Sequence, residues 1–268
     1  MPLHFRQQFV RQYAVHAPLA LALERALECN ILSRHPIEPP VLDLGCGDGI
    51  FASVLFAEPL DTGIDLNKDE LTRARTRGSY RELIWCPGSA IPKADGSYQS
   101  IVSNSVLEHI PDLTPVLHEA FRLLRPGGCF YFTVPSDKFD QYTLINVFLS
   151  SLHLRRMASR YRTVYNRFWK HHHAYRLAEW TDKIAGVGFQ VVEAHGYDPK
   201  RTALANDCLV PCTLFSSVWR RLLGRWVLCE PVRRMIVPLF APLFQKWLQE
   251  ADRCDDGGLV FVKARKPA

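Results

Sequence analysis

Short apolar runs at Val41–Leu44, Leu60–Leu66, Leu83–Cys86, Tyr98–Ser103 and Cys129–Val134 predict strands, and segments of helical character lie between most of them. Ile50–Phe56 reads as a buried helix and Lys68–Arg77 as a polar one. Over Leu113–Leu124, six apolar residues (Leu113, Val116, Leu117, Ala120, Phe121 and Leu124) share one helical face. Arg125 puts a cation at the carboxyl end of that helix, where the dipole favours one, and Pro126-Gly127-Gly128 stops it. Two further helical patterns open the chain, Phe5–Tyr13 and Leu19–Asn30. Pro36, Pro39 and Pro40 prevent the second from continuing, because proline lacks the amide donor. A helix at Leu177–Val187, a strand at Phe189–Ala194 and a last strand at Leu259–Ala264 complete the pattern. Strands alternating with helices predict an α/β fold, a mostly parallel sheet covered on both faces.

The alternation lapses twice, at Pro135–Tyr175 and from Gly196 to about Gly258. Charge sharpens the division. The chain carries 33 − 27 = +6 overall, but 12 − 15 = −3 up to Val134 and 21 − 12 = +9 after it. Seven basic residues and no acid fall in Ser151–Arg176. Within the second lapse, Phe215, Val218, Trp219, Leu222, Leu223, Trp226 and Val227 form an amphipathic stripe beside Arg220, Arg221 and Arg225. Two readings fit it: a helical cap over a binding site, or a basic, aromatic helix lying on a membrane surface. The longest apolar run, Met235–Phe244, is broken by Pro238 and Pro242 and is too short to span a bilayer. The opening MPLHFRQQFVRQY lacks the apolar stretch of a secretory signal. Eight scattered cysteines without a CxxC pair point away from a zinc site and a disulfide framework. The expected setting is cytoplasmic.

The chemistry concentrates where the first strand runs into Asp43-Leu44-Gly45-Cys46-Gly47-Asp48-Gly49. Glycines at 45, 47 and 49 permit a tight turn and close approach of a ligand, and the next helix offers free amides to an anion. A plain βα turn has the same composition, and a dehydrogenase would prefer G-x-G-x-x-G, whereas position 50 is Ile. Asp65 closes the next strand about twenty residues on, where an acid bonds ribose hydroxyls in dinucleotide folds. Alone it reads equally as a helix cap; together the two markers favour a bound adenosine.

At these residues the sequence resembles the class I S-adenosylmethionine-dependent methyltransferases, in particular their broad small-molecule branch. VLDLGCGDG, TGIDLN, YQSIVSNSVLEHIPD and LLRPGGCFYFTVP stand in the family's order and spacing. The resemblance is strong over Val41–Val134 and weaker over Leu177–Ala194 and Leu259–Ala264. It implies a Rossmann-like, seven-stranded, mostly parallel sheet in a single domain, with S-adenosylmethionine as cofactor. Residues 39–135 would form the cofactor half, 177–195 and 259–268 the remaining core, 1–38 a helical lid, and 136–176 and 196–258 cap insertions. It also implies that Asp43, Gly45, Cys46 and Gly47 hold the methionine portion, Asp65 the ribose, and Leu66 the adenine face. Gly88, Ser89 and Ala90 fall at the third motif, where Ser89 replaces the usual Asp. Asn104 and Ser105 fall where backbone carbonyls receive the methionine amine. Tyr13 and Arg11 would fold over the cofactor.

A sulfonium cofactor is already activated, so positioning and removal of water do most of the work, and a base is needed only for a protonated acceptor. Histidine candidates are His171, His173, His109 and His195. Side chains alternate along an extended segment, so in the run His171-His172-His173 only the first and third share a face. No carboxylate of ligand spacing lies near the run, so no metal is expected and activity is expected to survive chelators. The predicted acceptor is a small or medium-sized, partly apolar molecule methylated at O or N. A lipid-linked acceptor with peripheral membrane contact, and a non-catalytic cofactor-binding protein, are the alternatives. No RNA-binding module accompanies the basic stretch, which argues against nucleic acid.

Overall fold

The computed structural model describes residues 1–249 and 251–268. Seven strands form one sheet: β1 (Val41–Leu44), β2 (Leu60–Asp65), β3 (Tyr80–Trp85), β4 (Tyr98–Asn104), β5 (Leu124–Pro135), β6 (Gln190–Pro199) and β7 (Gly257–Arg265). Their order is 3-2-1-4-5-7-6, and β7 alone runs antiparallel to both of its neighbours. The Rossmann-like, mostly parallel sheet expected from the sequence is therefore present, with one reversed strand.

Alternating side chains feed two separate cores. Val41, Val102, Tyr131 and Phe261 join one layer with helices α1 (Phe9–His16), α2 (Leu19–Leu32) and α3 (Ile50–Leu55). Leu42, Leu44, Phe130, Phe132 and Val262 join the other with α5 (Thr114–Leu123) and α8 (Leu177–Val187). Both faces of the central strands are covered, which explains why Val41, Leu42, Leu44, Ile101 and Val102 are all buried. Helix α4 (Lys68–Arg77) is capped by Asn67, whose side chain accepts from the Asp69 and Glu70 amides, and it stops at Gly78 with φ +67°.

Several expectations change. Helix α1 starts at Phe9 rather than Phe5, because Phe5 bridges to Phe56 in extended form. The opening helices are no loose lid: Val10, Ala14, Ala22, Leu23, Ala26 and Leu27 are core residues. Strand β5 begins at Leu124, so Pro126-Gly127-Gly128 lies within its span, beside a shifted register between Tyr98 and Ser100. The first lapse holds α6 (Leu144–Ser151) and α7 (Arg155–Trp169), and the second holds α9 (Lys200–Asp207), α10 (Val210–Leu223) and α11 (Glu230–Gln249). The α10 stripe was visible in the sequence; α6, α7 and α9 were not, because they bury little of their surface, and α7 buries only Ala158. Residue 250, inside the second insertion, lies outside the described residues.

Candidate active site

A cavity of about 550 Å³ opens at the carboxyl ends of β1, β2, β4 and β5, between the glycine turn and helices α2, α7 and α10. Loops at this edge of an open parallel sheet surround the ligand crevice. Of the residues expected to bind cofactor, Tyr13, Gly45, Cys46, Gly47, Asp65, Asn104 and Ser105 line it. Gly45 and Gly47 have φ of +82° and +51°, a region that side-chain-bearing residues rarely adopt. A Cβ on Gly45 would strike Val106 at 2.5 Å, whereas one on Gly47 would meet no atom within 4 Å. The space above Gly47 is open to the cavity.

The Asp65 carboxylate is held from two sides, by the Gly47 amide at 3.0 Å and the Asn67 amide at 2.8 Å. Asp43 lies beneath the cavity instead of lining it. It is buried, accepts from the Tyr80 hydroxyl at 2.6 Å, and burial pushes its pKa up to about 7. Leu66 and the turn at Gly88-Ser89-Ala90 also stand outside the lining, and Leu66 is two-thirds exposed. Both follow paired strand ends, since Asp65 is in register with Trp85, and the Trp85 indole donates to the Leu66 carbonyl at 2.8 Å. Arg11 is exposed and bonded to Gln8, which removes it from the site.

The polar floor comes from a helix. Glu24 and Arg25 of α2 line the cavity, and Glu28 lies one turn below them, fully buried. Its carboxylate accepts from Arg25 at 2.7 and 2.8 Å, Asn104 Nδ2 and Ser105 Oγ at 2.9 Å, and the Tyr197 hydroxyl at 3.0 Å. This network fixes Asn104 and Ser105, the latter strained at φ +50°. Burial raises the Glu24 pKa to about 7, with Arg25, 3.4 Å away, opposing the shift. Nothing in the family motifs pointed to these residues. The available signal was a charged cluster inside an otherwise apolar helix, LALALERALECNIL.

The histidines separate into two groups. His109 and His171 line the cavity with ring centres 5.3 Å apart. They meet because the amides of His172 and His173 donate to the Glu108 carbonyl at 2.8 and 3.3 Å. His173 does not line the cavity. Its Nε2 contacts the Ile110 carbonyl at 2.9 Å and its Nδ1 the Tyr175 hydroxyl at 2.8 Å, so neither nitrogen is free for an acceptor. His195 sits on β6 against Phe261, also away from the cavity. The expected absence of a nearby carboxylate is corrected too: Glu108 stands 3.6 Å from His109 Nε2. Burial lowers the pKa of both cavity histidines, to about 4 at His171, and raises that of Glu108 to about 8.

Residues 9–194 match the family described as a methyltransferase domain, which is 186 of 268 positions. The chain belongs to the S-adenosylmethionine-dependent methyltransferases. It is 30% identical over 183 residues to a ubiquinone biosynthesis O-methyltransferase of Chromobacterium violaceum, covering 65% of this chain and 75% of that one. It spans only 38% and 46% of two further curated relatives. A possible histamine N-methyltransferase from Thermotoga maritima has the same fold, with TM-score 0.56, 14% identity and coverage of 92% and 91%. So does the [4+2]-cyclase SpnF, with TM-score 0.56, 15% identity and coverage of 94% and 83%.

In this methyltransferase the insertions close the cavity from outside. Arg220 of α10 bonds both oxygens of Glu70 at 2.5 and 2.6 Å, lies 3.3 Å from Asp48 beside the glycine turn, and stacks on Trp226 at 4.2 Å. Val210, Thr213 and Arg220 turn inward. The expected stripe does so only at its far end, where Trp226 lines the cavity and Val227 is buried. Phe215, Val218, Leu222 and Leu223 are more than half exposed, and α10 ends at Leu223 before Gly224, short of Trp226. Among the described residues, no helix is long and apolar enough to cross a membrane.

Proposed function

We propose that this methyltransferase transfers a methyl group to an O or N atom of a small or medium-sized, partly apolar acceptor. The observation that carries the reading is the two-part cavity. A glycine-and-Asp65 cradle stands on one side, and a mixed wall of Phe139, Tyr165, Trp169, Glu24, Glu108, His109 and His171 stands on the other. Gly45, Cys46, Gly47, Asn104, Ser105 and Tyr13 would hold the methionine portion of the cofactor, Asp65 the ribose, and Leu66 with Gly88-Ser89-Ala90 the adenine. Bound there, S-adenosylmethionine supplies an electrophilic methyl group. The chain's own residues exclude water, orient the acceptor and take its proton.

The base role moves from histidine to Glu24. A nitrogen that binds protons as weakly as His171 is uncharged at neutral pH and a poor base. A carboxyl whose affinity is raised to about 7 matches the operating pH. Arg25 and Glu28 face Glu24 from its own helix, and Glu108 shares the cavity. Glu24 is a base only when ionised, so turnover should rise with pH through about 7 and level off above it. Glu24→Gln should lower turnover about 100-fold and abolish that limb while leaving cofactor affinity unchanged. An unaltered pH profile in the variant would return the base to another group.

A second reading is favoured by one observation. Phe215, Val218, Leu222, Leu239 and Leu243 on α10 and α11, and Phe148, Val164 and Phe168 on α6 and α7, are all more than half exposed. Arg155, Arg156, Arg160, Arg221 and Arg225 are exposed on or beside these helices. Apolar and basic side chains on outer faces suit a lipid-linked acceptor reached at an anionic membrane surface. Sedimentation with phosphatidylglycerol vesicles at physiological salt tests it. Binding that Leu222→Glu abolishes would support the surface, and no binding would leave the acceptor soluble.

A further inference from the structure

The acceptor wall contains a constellation that base chemistry leaves unexplained. Glu108 is 3% exposed, and its Oε2 has no hydrogen-bond partner. An orphaned carboxylate oxygen at that depth costs several kcal/mol unless something occupies it. His109 Nε2 stands 3.6 Å from the other oxygen, Oε1, and one ligand atom from each of Glu108, His109 and His171 lies within 4.8 Å of the other two. The far sides of both rings are tied down. His109 Nδ1 faces the Lys170 carbonyl at 3.2 Å, a pure acceptor, so that nitrogen carries the proton and Nε2 keeps its lone pair. His171 Nδ1 faces the Asn166 side-chain oxygen at 3.4 Å. That amide is oriented in turn by its own NH₂ donating to Asp140 at 2.7 Å. Rings anchored at Nδ1 by an acceptor leave Nε2 free to ligate, which is the outer shell that metal-bound histidines require.

We propose that Glu108, His109 and His171 bind one divalent transition-metal ion in the acceptor half of the cavity. Two imidazoles and one carboxylate suit Zn²⁺, Mn²⁺, Co²⁺ or Ni²⁺ better than Mg²⁺ or Ca²⁺, which prefer all-oxygen sets. With bonds of about 2.1 Å the ligand atoms of a tetrahedral site stand about 3.4 Å apart, so closure from spacings of up to 4.8 Å asks each side chain to move by up to about 0.8 Å. Three protein ligands leave positions open toward the cavity. Resting on the transferase reading above, those positions would take an oxygen of the acceptor and lower its pKa, which narrows the class to hydroxylated acceptors. Sequence separation hid the site: His171 lies 62 positions from His109 and reaches it only through the loop pinned to the Glu108 carbonyl.

The test is Co²⁺ titration of the full, tag-free chain after chelator treatment, read by visible absorption and checked by competition with Zn²⁺. Wild type should show saturable d–d bands at one equivalent. His171→Ala and Glu108→Gln should weaken binding at least tenfold, and His173→Ala, outside the cluster, should not. Absence of saturable binding by the wild-type chain would overturn the proposal, as would binding that all three variants retain. Calorimetric titration of S-adenosylmethionine into the same variants reports on the transferase reading separately. The conservative Glu108→Gln keeps a folded comparison available, since it removes charge without opening a hole.

Discussion

Replacing Asp65 with alanine is expected to weaken S-adenosylmethionine binding by about 2–3 kcal/mol, roughly 30- to 150-fold. The carboxylate is already aimed by the Gly47 and Asn67 amides, so a ligand diol receives it without reorganisation. Alanine removes both the charged acceptor and the group that holds the turn. Asp65→Asn should fall between, because it keeps size and one acceptor oxygen. Gly47→Val should be worse than either. The position sits at φ +51°, where a branched side chain is strained, and its Cβ would project into the empty cradle. Calorimetric titration with the cofactor and its demethylated product checks all three. Unchanged affinity for Asp65→Ala would move the ribose site elsewhere.

Glu28→Ala is expected to cost about 3–5 kcal/mol of folding stability, the range for removing one partner of a buried ion pair. The loss is not only the pair with Arg25. Donors on Asn104, Ser105 and the buried Tyr197 would also lose their acceptor. Through these bonds Glu28 ties α2 to the end of β4 and to β6, so the same change should loosen the cofactor floor. Glu28→Gln should be milder, retaining acceptor and donor capacity but leaving the Arg25 charge uncompensated. Urea unfolding followed by circular dichroism measures both variants. A shift below about 1 kcal/mol for alanine would show that the network contributes little to stability.

The two predictions differ in how visible their residues were. The place of Asp65 in the cavity lining was legible because its position is local: a strand end, a fixed distance from a glycine turn, in a motif whose order constrains the fold. The same holds for Gly45 and Gly47, whose positive φ is a property of the turn alone. Glu28 was not legible. An acid in a helix reads as solvent-facing until the sheet edge supplies Asn104, Ser105 and Tyr197 around it. The insertions failed for a related reason. Helices α6 and α7 leave much of their apolar surface facing outward, so the inside-out rule that predicts helices from burial does not apply to them.

By itself the sequence determined the strands of the sheet and the helices packed on its faces, the parallel character of most of the sheet, and the glycine turn with its acid. Each follows from local periodicity, turn chemistry or a fixed motif spacing. Only the tertiary structure decided which residues share the cavity. It placed Glu24 and Arg25 on the floor, excluded Arg11 and His173, turned the α10 stripe outward, and joined Glu108 and His109 to His171. Those outcomes depend on contacts between residues tens to more than a hundred positions apart. Loop closure and competing hydrogen bonds set them, and neither leaves a periodic trace along the chain.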